Sequence, residues 1–218
     1  MRSDLAIVVF AVGVMEGCRC TPTVTIDEPA ASLEVKATFL DVDETPRDGR
    51  QPVTAQFFQG GKLVELARDA AVACNGVPLS WNGLGYTARV PLVAPGAAYT
   101  VLHVRGGMTT RMSVTVPPRP AITTPAAGAT VLRSTSFSII YPPGGGTSVR
   151  PGVTGAAGSL TGVAQADTGT ATIDASGVGV GAGSVWLTRD IESAVAGTGF
   201  ALARFTYSTG HAQNVIWQ

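Results

Sequence analysis

The densest group of side chains with chemical potential is a run of carboxylates ahead of the first Asp-Gly pair. Asp41, Asp43 and Asp48 offer the hard oxygen ligands that Ca²⁺ prefers. The spacing does not fit a helix–loop–helix calcium loop, because Pro46 and Arg47 stand where ligands or small residues are needed. Pro and Asp-Gly are also typical of turns. We therefore predict a solvated strand end and no bound metal, with the three aspartates as the candidates should a cation bind.

The histidines are the next residues that could support catalysis. His103 lies within a predicted strand and His211 within a predicted turn. A Ser/His/Asp site needs a histidine beside a nucleophile, and no nucleophile-elbow sequence is present. The run Gly144–Gly146 lacks the lysine of a phosphate-binding loop and follows two prolines, so it predicts a plain loop. The sequence thus favours a non-enzymatic protein without a cofactor.

The first cysteine follows an apolar segment at the start of the chain. Arg2 precedes the run Leu5–Val14, and Gly17-Cys18 comes shortly after it. About ten apolar residues suit an export signal, whereas a membrane-spanning helix needs roughly 20. We predict a signal peptide over residues 1–17 and lipidation at Cys18. Ordinary cleavage nearby and no processing remain the alternatives.

The other two cysteines are Cys20 and Cys74. If Cys18 carries lipid, they form an even pair that could join as a disulfide in an oxidising compartment. The alternative is that Cys74 is a small buried hydrophobic residue and Cys20 an unpaired thiol in a linker. Sequence alone does not provide the geometry that would decide between them.

The composition indicates short strands and many turns. The net charge is zero, from 15 Lys and Arg against 15 Asp and Glu, so nothing suggests a nucleic-acid partner. The 218 residues include 27 glycines and 14 prolines. Acidic residues concentrate in the first half, and the second half is nearly uncharged. The composition therefore predicts an all-β chain, and the difference in charge between the halves predicts two domains of different character.

Strand periodicity is clearest in the first half. The segments Leu33–Phe39 and Val53–Phe57 alternate apolar and polar residues, so Phe39 and Phe57 are predicted core residues. Gly60-Gly61 and Gly106-Gly107 each stand between two such segments, and glycine pairs permit the positive φ angles of tight hairpins. A further strand is predicted at Tyr86–Val90. This spacing of strands and turns indicates an antiparallel β-sandwich.

A proline-rich segment, Val116–Pro120, divides the chain, since prolines cannot donate to a β-ladder. The predicted organisation is a signal peptide over 1–17, a tether over 18–31, a first β-sandwich over 32–117, a linker over 118–120 and a glycine-rich second β-sandwich over 121–218.

Within the second domain, the sequence predicts irregular structure from Tyr141 to Val153 and weak strands at Ala171–Ile173 and Val178–Val180. It predicts a terminal hairpin that turns at Ser208–His211.

Trp81 is the best candidate for ligand contact. It stands in a turn-rich loop ahead of Asn82-Gly83, which suggests a tip at one end of the first domain. An exposed tryptophan there could stack on a sugar, and the alternative is packing over the end of the sandwich.

The chain resembles bacterial cell-envelope lipoproteins with tandem immunoglobulin-like or fibronectin-like modules. The resemblance rests on the lipidation junction, the turn-spaced strands, the proline-rich segment and a Pro-x-x-Gly-x-x-Val opening at Pro125–Val131. The Cys…Trp…Cys spacing of true immunoglobulin domains is absent. The resemblance implies two immunoglobulin-like sandwiches and a membrane partner through the lipid anchor. It implies a structural or binding role on the extracytoplasmic side of the envelope, with secretion as the alternative, and an envelope protein or glycan as a further partner.

Overall fold

The computed structural model describes residues 25–26, 29–41, 49–196 and 198–218, and this part of the chain is built from β-strands and one 3-10 helix, Ala30–Ser32. The strands of the first half are β1 (Thr25–Ile26), β2 (Glu34–Asp41), β3 (Arg50–Gln59), β4 (Lys62–Leu66), β5 (Ala71–Cys74), β6 (Val77–Pro78), β7 (Ser80–Trp81), β8 (Tyr86–Pro91), β9 (Ala98–Arg105) and β10 (Met108–Thr115). Those of the second half are β11 (Thr130–Val131), β12 (Phe137–Ile140), β13 (Ser148–Gly155), β14 (Gly158–Thr161), β15 (Thr170–Ile173), β16 (Gly181–Ala194) and β17 (Leu202–Trp217). The all-β prediction is confirmed. Among the described residues, no helix is long and apolar enough to cross a membrane.

Two sheets enclose a first hydrophobic core. One contains β4, β3, β2 and β17, with β8 beside β3, and the other has the order β10-β9-β5-β6. Side chains of a strand alternate between its faces, so Leu33, Val35, Ala37 and Phe39 all point into this core and are at most 2% exposed. Phe57 is fully buried on the neighbouring β3. The predicted strand phase and both predicted core phenylalanines are confirmed.

Tyr99 fixes the crossing from one sheet of this sandwich to the other. Its ring stacks on Phe39 with centroids 4.9 Å apart. Its hydroxyl donates to the Pro91 carbonyl at 3.1 Å and accepts from the Val93 N–H at 3.0 Å. A buried tyrosine that bonds to the backbone a few residues upstream is the tyrosine corner of immunoglobulin-type sandwiches.

Both glycine pairs form the tight hairpins that the sequence predicts. Gly60 and Gly61 have φ angles of 53° and 75° between β3 and β4, and Gly106 and Gly107 have 55° and 77° between β9 and β10. Only glycine adopts two successive positive φ angles at little cost, and this geometry matches the twist of the flanking strands.

A second core lies between the sheet β17-β16-β13-β14 and the pair β12-β15. Glycine provides space for aromatic rings here. A Cβ on Gly183 would overlap the core ring of Trp217. On the other face of the same sheet, a Cβ on Gly152 would overlap the half-buried ring of Trp186, its cross-strand partner. Trp217 is fully buried, and its indole N–H donates to the Thr154 carbonyl at 2.9 Å. The glycines therefore contribute to packing by admitting the tryptophans.

The hairpin of β16 and β17 belongs to both cores. Its ladder runs without a break from Gly181 opposite Trp217 to Ala194 opposite Arg204. Phe205 and Tyr207 are part of the first core, whereas Val215 and Trp217 are part of the second. One strand therefore connects the two sandwiches.

The predicted turn at Ser208–His211 is wrong. The segment is extended inside β17 and is paired with β16 throughout. Thr209 is fully buried and lies opposite Arg189. Along the other edge of β17, β2 pairs in parallel from Leu202 as far as Thr209. A local turn signal is outweighed by a ladder that satisfies the backbone groups of the whole segment.

Two further predictions for the second half are wrong. The irregular segment predicted over Tyr141–Val153 contains β13 from Ser148 onward, because Val149 and Val153 alternate into the core. No strand forms at Val178–Val180, because the Val178 N–H bonds to Ala175 in a turn and its carbonyl accepts from Arg133. The weak strand at Ala171–Ile173 is confirmed as part of β15.

Pairing between strands is mainly antiparallel, with parallel contacts of β1 to β4, β11 to β17 and β17 to β2. The division of the chain at residues 118–120 stays a prediction. The end of β16 and the start of β17 add residues to the first core although they follow that point in sequence.

Candidate functional site

A buried ion pair lies where the two cores meet. The guanidinium Nε of Arg189 is 2.9 Å from Oδ2 of Asp167, and the two side chains are 1% and 2% exposed. Arg189 stands in β16 between Leu187 of the second core and Ile191, which packs against the first. An ion pair as buried as this one stabilises only when its remaining polar atoms also have partners.

The other donors of Arg189 meet that condition. Nη1 donates to the Pro118 carbonyl at 2.8 Å, and Nη2 donates to the Pro142 carbonyl at 2.7 Å and to Asp167 Oδ1 at 3.3 Å. The guanidinium also lies 5.8 Å from the centre of the Tyr141 ring, a distance suited to a cation–π contact. One side chain therefore links the predicted linker, the loop after β12 and the strand that both cores share.

The loop Gly144–Gly146 packs around this ion pair and donates hydrogen bonds to it. The N–H groups of Gly144 and Gly146 donate to Asp167 Oδ2 at 3.1 and 2.7 Å. A Cβ on Gly146 would lie 2.6 Å from Cγ of Arg189, and one on Gly144 would overlap the guanidinium. The segment is a loop, as predicted, and its glycines permit close approach to an arginine. We refer to Arg189, Asp167 and this loop as the joint.

The electrostatics of the joint favour an ionised Asp167. Burial alone raises the pKa of this carboxyl, but hydrogen bonds from Arg189, Gly146 and Gly144 outweigh it and hold the pKa below its usual value. Because the carboxylate is bonded and closed to solvent, the joint can fix the relative position of strands but cannot bind an external ligand. Arg189 is not among the site residues predicted from the sequence. The pattern that could have identified it is a cation in phase with the inward-facing Val185 and Leu187 on the same strand.

A second feature is a shallow groove of about 280 Å³ on the outside of the first sandwich. We name it the outer groove, and its lining residues are Glu34, Val35, Lys36, Phe58, Gly61, Leu202 and Arg204. They come from β2, β3, β17 and the turn after β3. Phe58 and Leu202 are half-buried and lie on either side of Glu34 in register, so the three form one row across three strands.

The next row of the outer groove carries two cations. Lys36 lies directly opposite Arg204 on adjacent parallel strands, and both are exposed. Within the described residues, neither side chain makes an ion pair or a side-chain hydrogen bond. Gln56 completes the row beside Lys36, and its amide donates to the Leu84 carbonyl at 2.8 Å. The two positive charges therefore stand side by side and face solvent.

Another groove, of about 470 Å³, lies between β14 and β15 in the second sandwich. Its one carboxylate, Asp174, accepts hydrogen bonds from the backbone and hydroxyl of Ser176 at 2.9 and 2.6 Å. On the same side, both backbone groups of Thr172 are bonded by the Gln165 amide, which takes the place of a neighbouring strand. The Asp174 carboxylate and the backbone of Thr172 are therefore already bonded by the chain itself.

The structure places Trp81 below the predicted tip. Trp81 ends β7, is half-buried against the first core and lies 5.2 Å from the Tyr86 ring. The side chain of Asn82 accepts from the N–H groups of Leu84 and Gly85, so the tip beyond Trp81 is a closed turn with Leu84 62% exposed. A ligand role for Trp81 stays a prediction.

Several predicted site residues fall outside the described part of the chain: Cys18, Cys20, Asp43 and Asp48. Asp41 ends β2. Cys74 lies in the first core with a fully buried thiol, and burial raises its pKa to about 12. Its pairing with Cys20 stays a prediction.

The histidines take structural positions. His103 is 3% exposed and lies in the first core between the rings of Phe57 and Phe200, at centroid distances of 5.8 and 6.0 Å. The ring nitrogen Nδ1 of His211 accepts from the Ile122 N–H at 3.3 Å. Neither histidine lines the outer groove.

Comparison with known proteins shows similarity only to solved structures. No family model matches the chain, and no curated protein matches it. The fibronectin(III)-like modules of Clostridium thermocellum CbhA align over 89% of this chain and 93% of theirs, with 13% identity and a TM-score of 0.31. DIP-gamma IG1+IG2 aligns over 84% of this chain and 97% of its own, with 10% identity and a TM-score of 0.23. The three N-terminal domains of the bacteriophage RB49 highly immunogenic outer capsid protein align over 85% of this chain and 70% of theirs, with 10% identity and a TM-score of 0.26. Similarity this low identifies no function, which must come from the residues of the chain itself.

Proposed function

We propose that the protein is an exported, non-enzymatic structural component of a bacterial cell envelope, held on the extracytoplasmic side by lipid on Cys18. The observation that carries the structural role is the joint. A buried ion pair and a shared hairpin couple the two sandwiches, which suits a stiff spacer better than two modules on a flexible linker. Export and anchoring rest on the sequence of residues 1–18.

The positions of the histidines support the non-enzymatic role. His103 is enclosed by aromatic rings, and His211 accepts a backbone hydrogen bond. The buried carboxylate of Asp167 is fully bonded. A reacting group must instead reach its substrate.

Anchoring is tested by the mass and membrane association of the protein expressed in a bacterium with a lipoprotein pathway. We expect wild type to fractionate with membranes and to have the mass of residues 18–218 plus acyl chains. Cys18→Ser should be released into the soluble extracytoplasmic fraction, whereas Cys20→Ser should stay on the membrane. A wild-type mass that matches the full unmodified chain would contradict the proposal.

Stiffness is tested separately by small-angle scattering. Asp167→Asn removes the charge that Arg189 faces and should loosen the joint, so we expect a broader distribution of intramolecular distances in a chain that is still folded. Asp174→Asn is the matched control, because that carboxylate is exposed and bonds only within its own turn. Identical scattering from all three proteins would show that the joint does not set the shape.

The second candidate function is a carbohydrate- or protein-binding accessory module of a secreted system. The outer groove favours it, because the groove combines a half-buried aromatic ring with two cations that have no partner among the described residues. Binding grooves join an apolar floor to a few polar groups in this way. Titration with oligosaccharides tests this function without reference to the anchor.

A further inference from the structure

We infer that the outer groove binds a carboxylated sugar residue of an acidic polysaccharide, with Lys36 and Arg204 on the carboxylate and Phe58 under the sugar ring. The inference rests on the second function proposed above, which it makes specific. It does not depend on membrane anchoring or on the joint.

Two like charges, Lys36 and Arg204, lie opposite each other on adjacent strands of the outer groove. Adjacent strands lie about 4.8 Å apart, so side chains that are paired in register on one face are close neighbours. Like charges in such a position destabilise a sheet. Lys36 and Arg204 nevertheless face each other, in a chain with only two lysines. An anion bound between them would remove this repulsion.

The type of anion follows from the geometry of the cations. The planar guanidinium of Arg204 can bind both oxygens of a carboxylate, and the ammonium of Lys36 can add a third hydrogen bond. Gln56 does not compete, because its amide already bonds to the Leu84 carbonyl. A carboxylate is therefore the small anion that matches this row.

The rest of the ligand follows from the neighbouring row. Phe58 and Leu202 offer half-buried apolar surface on either side of Glu34. One face of a pyranose ring is apolar enough to pack on an aromatic side chain, while its hydroxyls can donate to a carboxylate such as Glu34. A volume of about 280 Å³ is at the small end of ligand sites and accommodates one or two sugar residues.

A lipid surface fits the outer groove less well. Two cations by themselves attract an anionic membrane only weakly. Lys36 and Arg204 line a groove of about 280 Å³, a size that suits a single acidic residue better than an extended surface.

The test is calorimetric titration of the full chain at low salt with tetragalacturonate, which is acidic, and with maltotetraose, which is neutral. We expect tetragalacturonate to bind and maltotetraose to bind at least tenfold more weakly. Arg204→Gln and Lys36→Gln should each weaken tetragalacturonate binding about tenfold or more. Arg150→Gln, which removes an exposed cation from β13, should leave it unchanged. Since all three positions are exposed, thermal melting should confirm that the variants fold.

The outcomes separate the inference from the function beneath it. Equal binding of the two oligosaccharides, lost in Phe58→Ala, would keep a carbohydrate-binding function and overturn the acidic ligand. Binding of neither oligosaccharide would overturn both. Binding to vesicles that contain phosphatidylglycerol but not to tetragalacturonate would overturn the inference in favour of a membrane surface. Unchanged tetragalacturonate binding in both cation variants would also overturn it.

Discussion

The two sandwiches reach a closed core in different ways. The first stacks large rings: Phe39 lies against Tyr99 and Tyr207 at centroid distances of 4.9 and 6.1 Å. The second relies on valines and on Trp217, whose ring occupies the space that a Cβ on Gly183 would need. In the first core the volume comes from side chains that face each other. In the second, a missing Cβ on one strand makes room for a large ring on the next.

This difference shows what a glycine-rich segment can do in a β-sheet. Glycine in a strand normally weakens the strand, since it adds flexibility and no packing surface. Here the neighbouring tryptophan supplies the surface that the glycine lacks, and close packing is recovered. A core built in this way tolerates an added methyl group poorly, whereas the aromatic core tolerates a lost ring poorly.

The largest expected effect concerns the joint between the two regions. Arg189→Leu leaves the Asp167 carboxylate buried without its cation, so we expect a loss of about 5 kcal/mol in the free energy of unfolding. Urea denaturation followed by tryptophan fluorescence measures it. The double variant Arg189→Leu with Asp167→Leu should be more stable than the single variant, because no buried charge is left unpaired. A double variant no more stable than Arg189→Leu would contradict this explanation.

The next effect concerns the aromatic core. Phe57→Ala should cost about 3 to 5 kcal/mol, because the ring is fully buried and the cavity closes only in part. Phe58→Ala is a control one residue away, and it should cost less than half as much because Phe58 is half-buried on the other face. Thermal melting of both variants tests the strand phase. Equal losses would show that the phase of β3 is wrong.

Local pattern was enough to predict the strands that these variants address. Alternation from Leu33 to Phe39 and the glycine-pair hairpins depend on neighbours in sequence, and the structure confirms them. The path of β17 could not be predicted in the same way. Ser208–His211 has the composition of a turn, and only pairing with β16 and β2, which are its neighbours in space but distant in sequence, keeps it extended.

The sites show the same limit. Arg189 finds its carboxylate 22 residues away at Asp167 and its carbonyls at Pro118 and Pro142, contacts that no spacing rule predicts. The outer groove joins residues of β2 to residues of β17, and their proximity follows only from the parallel register. Trp81, singled out for its turn-like surroundings, lies partly under the turn it precedes.

A smaller effect is expected in the glycine-rich sheet of the second sandwich, on the face that points away from its core. Gly152→Ala places a methyl group on the ring of Trp186, and relief of this overlap should cost about 1 to 3 kcal/mol. Ser138→Ala, on the exposed face of β12, is the control and should be neutral within about 0.5 kcal/mol. Chemical denaturation measures both. If Gly152→Ala melts like wild type, the tryptophan does not depend on the space that glycine leaves.

The smallest effect is a pH dependence confined to the first sandwich. Burial lowers the pKa of His103 below its ordinary value of 6.5, so the unfolded chain binds a proton there at a higher pH than the folded protein does. The stabilisation is therefore complete above about pH 6.5 and decreases as the pH falls below it, by at most about 1.4 kcal/mol per pH unit. The contribution of Asp167 is separate, since the pKa of this carboxyl is lowered and its stabilisation is lost only below about pH 4.

His103→Leu should abolish the decrease in stability between pH 6.5 and pH 5, while it leaves stability at pH 8 within about 1.5 kcal/mol of wild type. Denaturation at these three pH values measures it, and a His103→Leu variant with the same pH dependence as wild type would show that another group titrates.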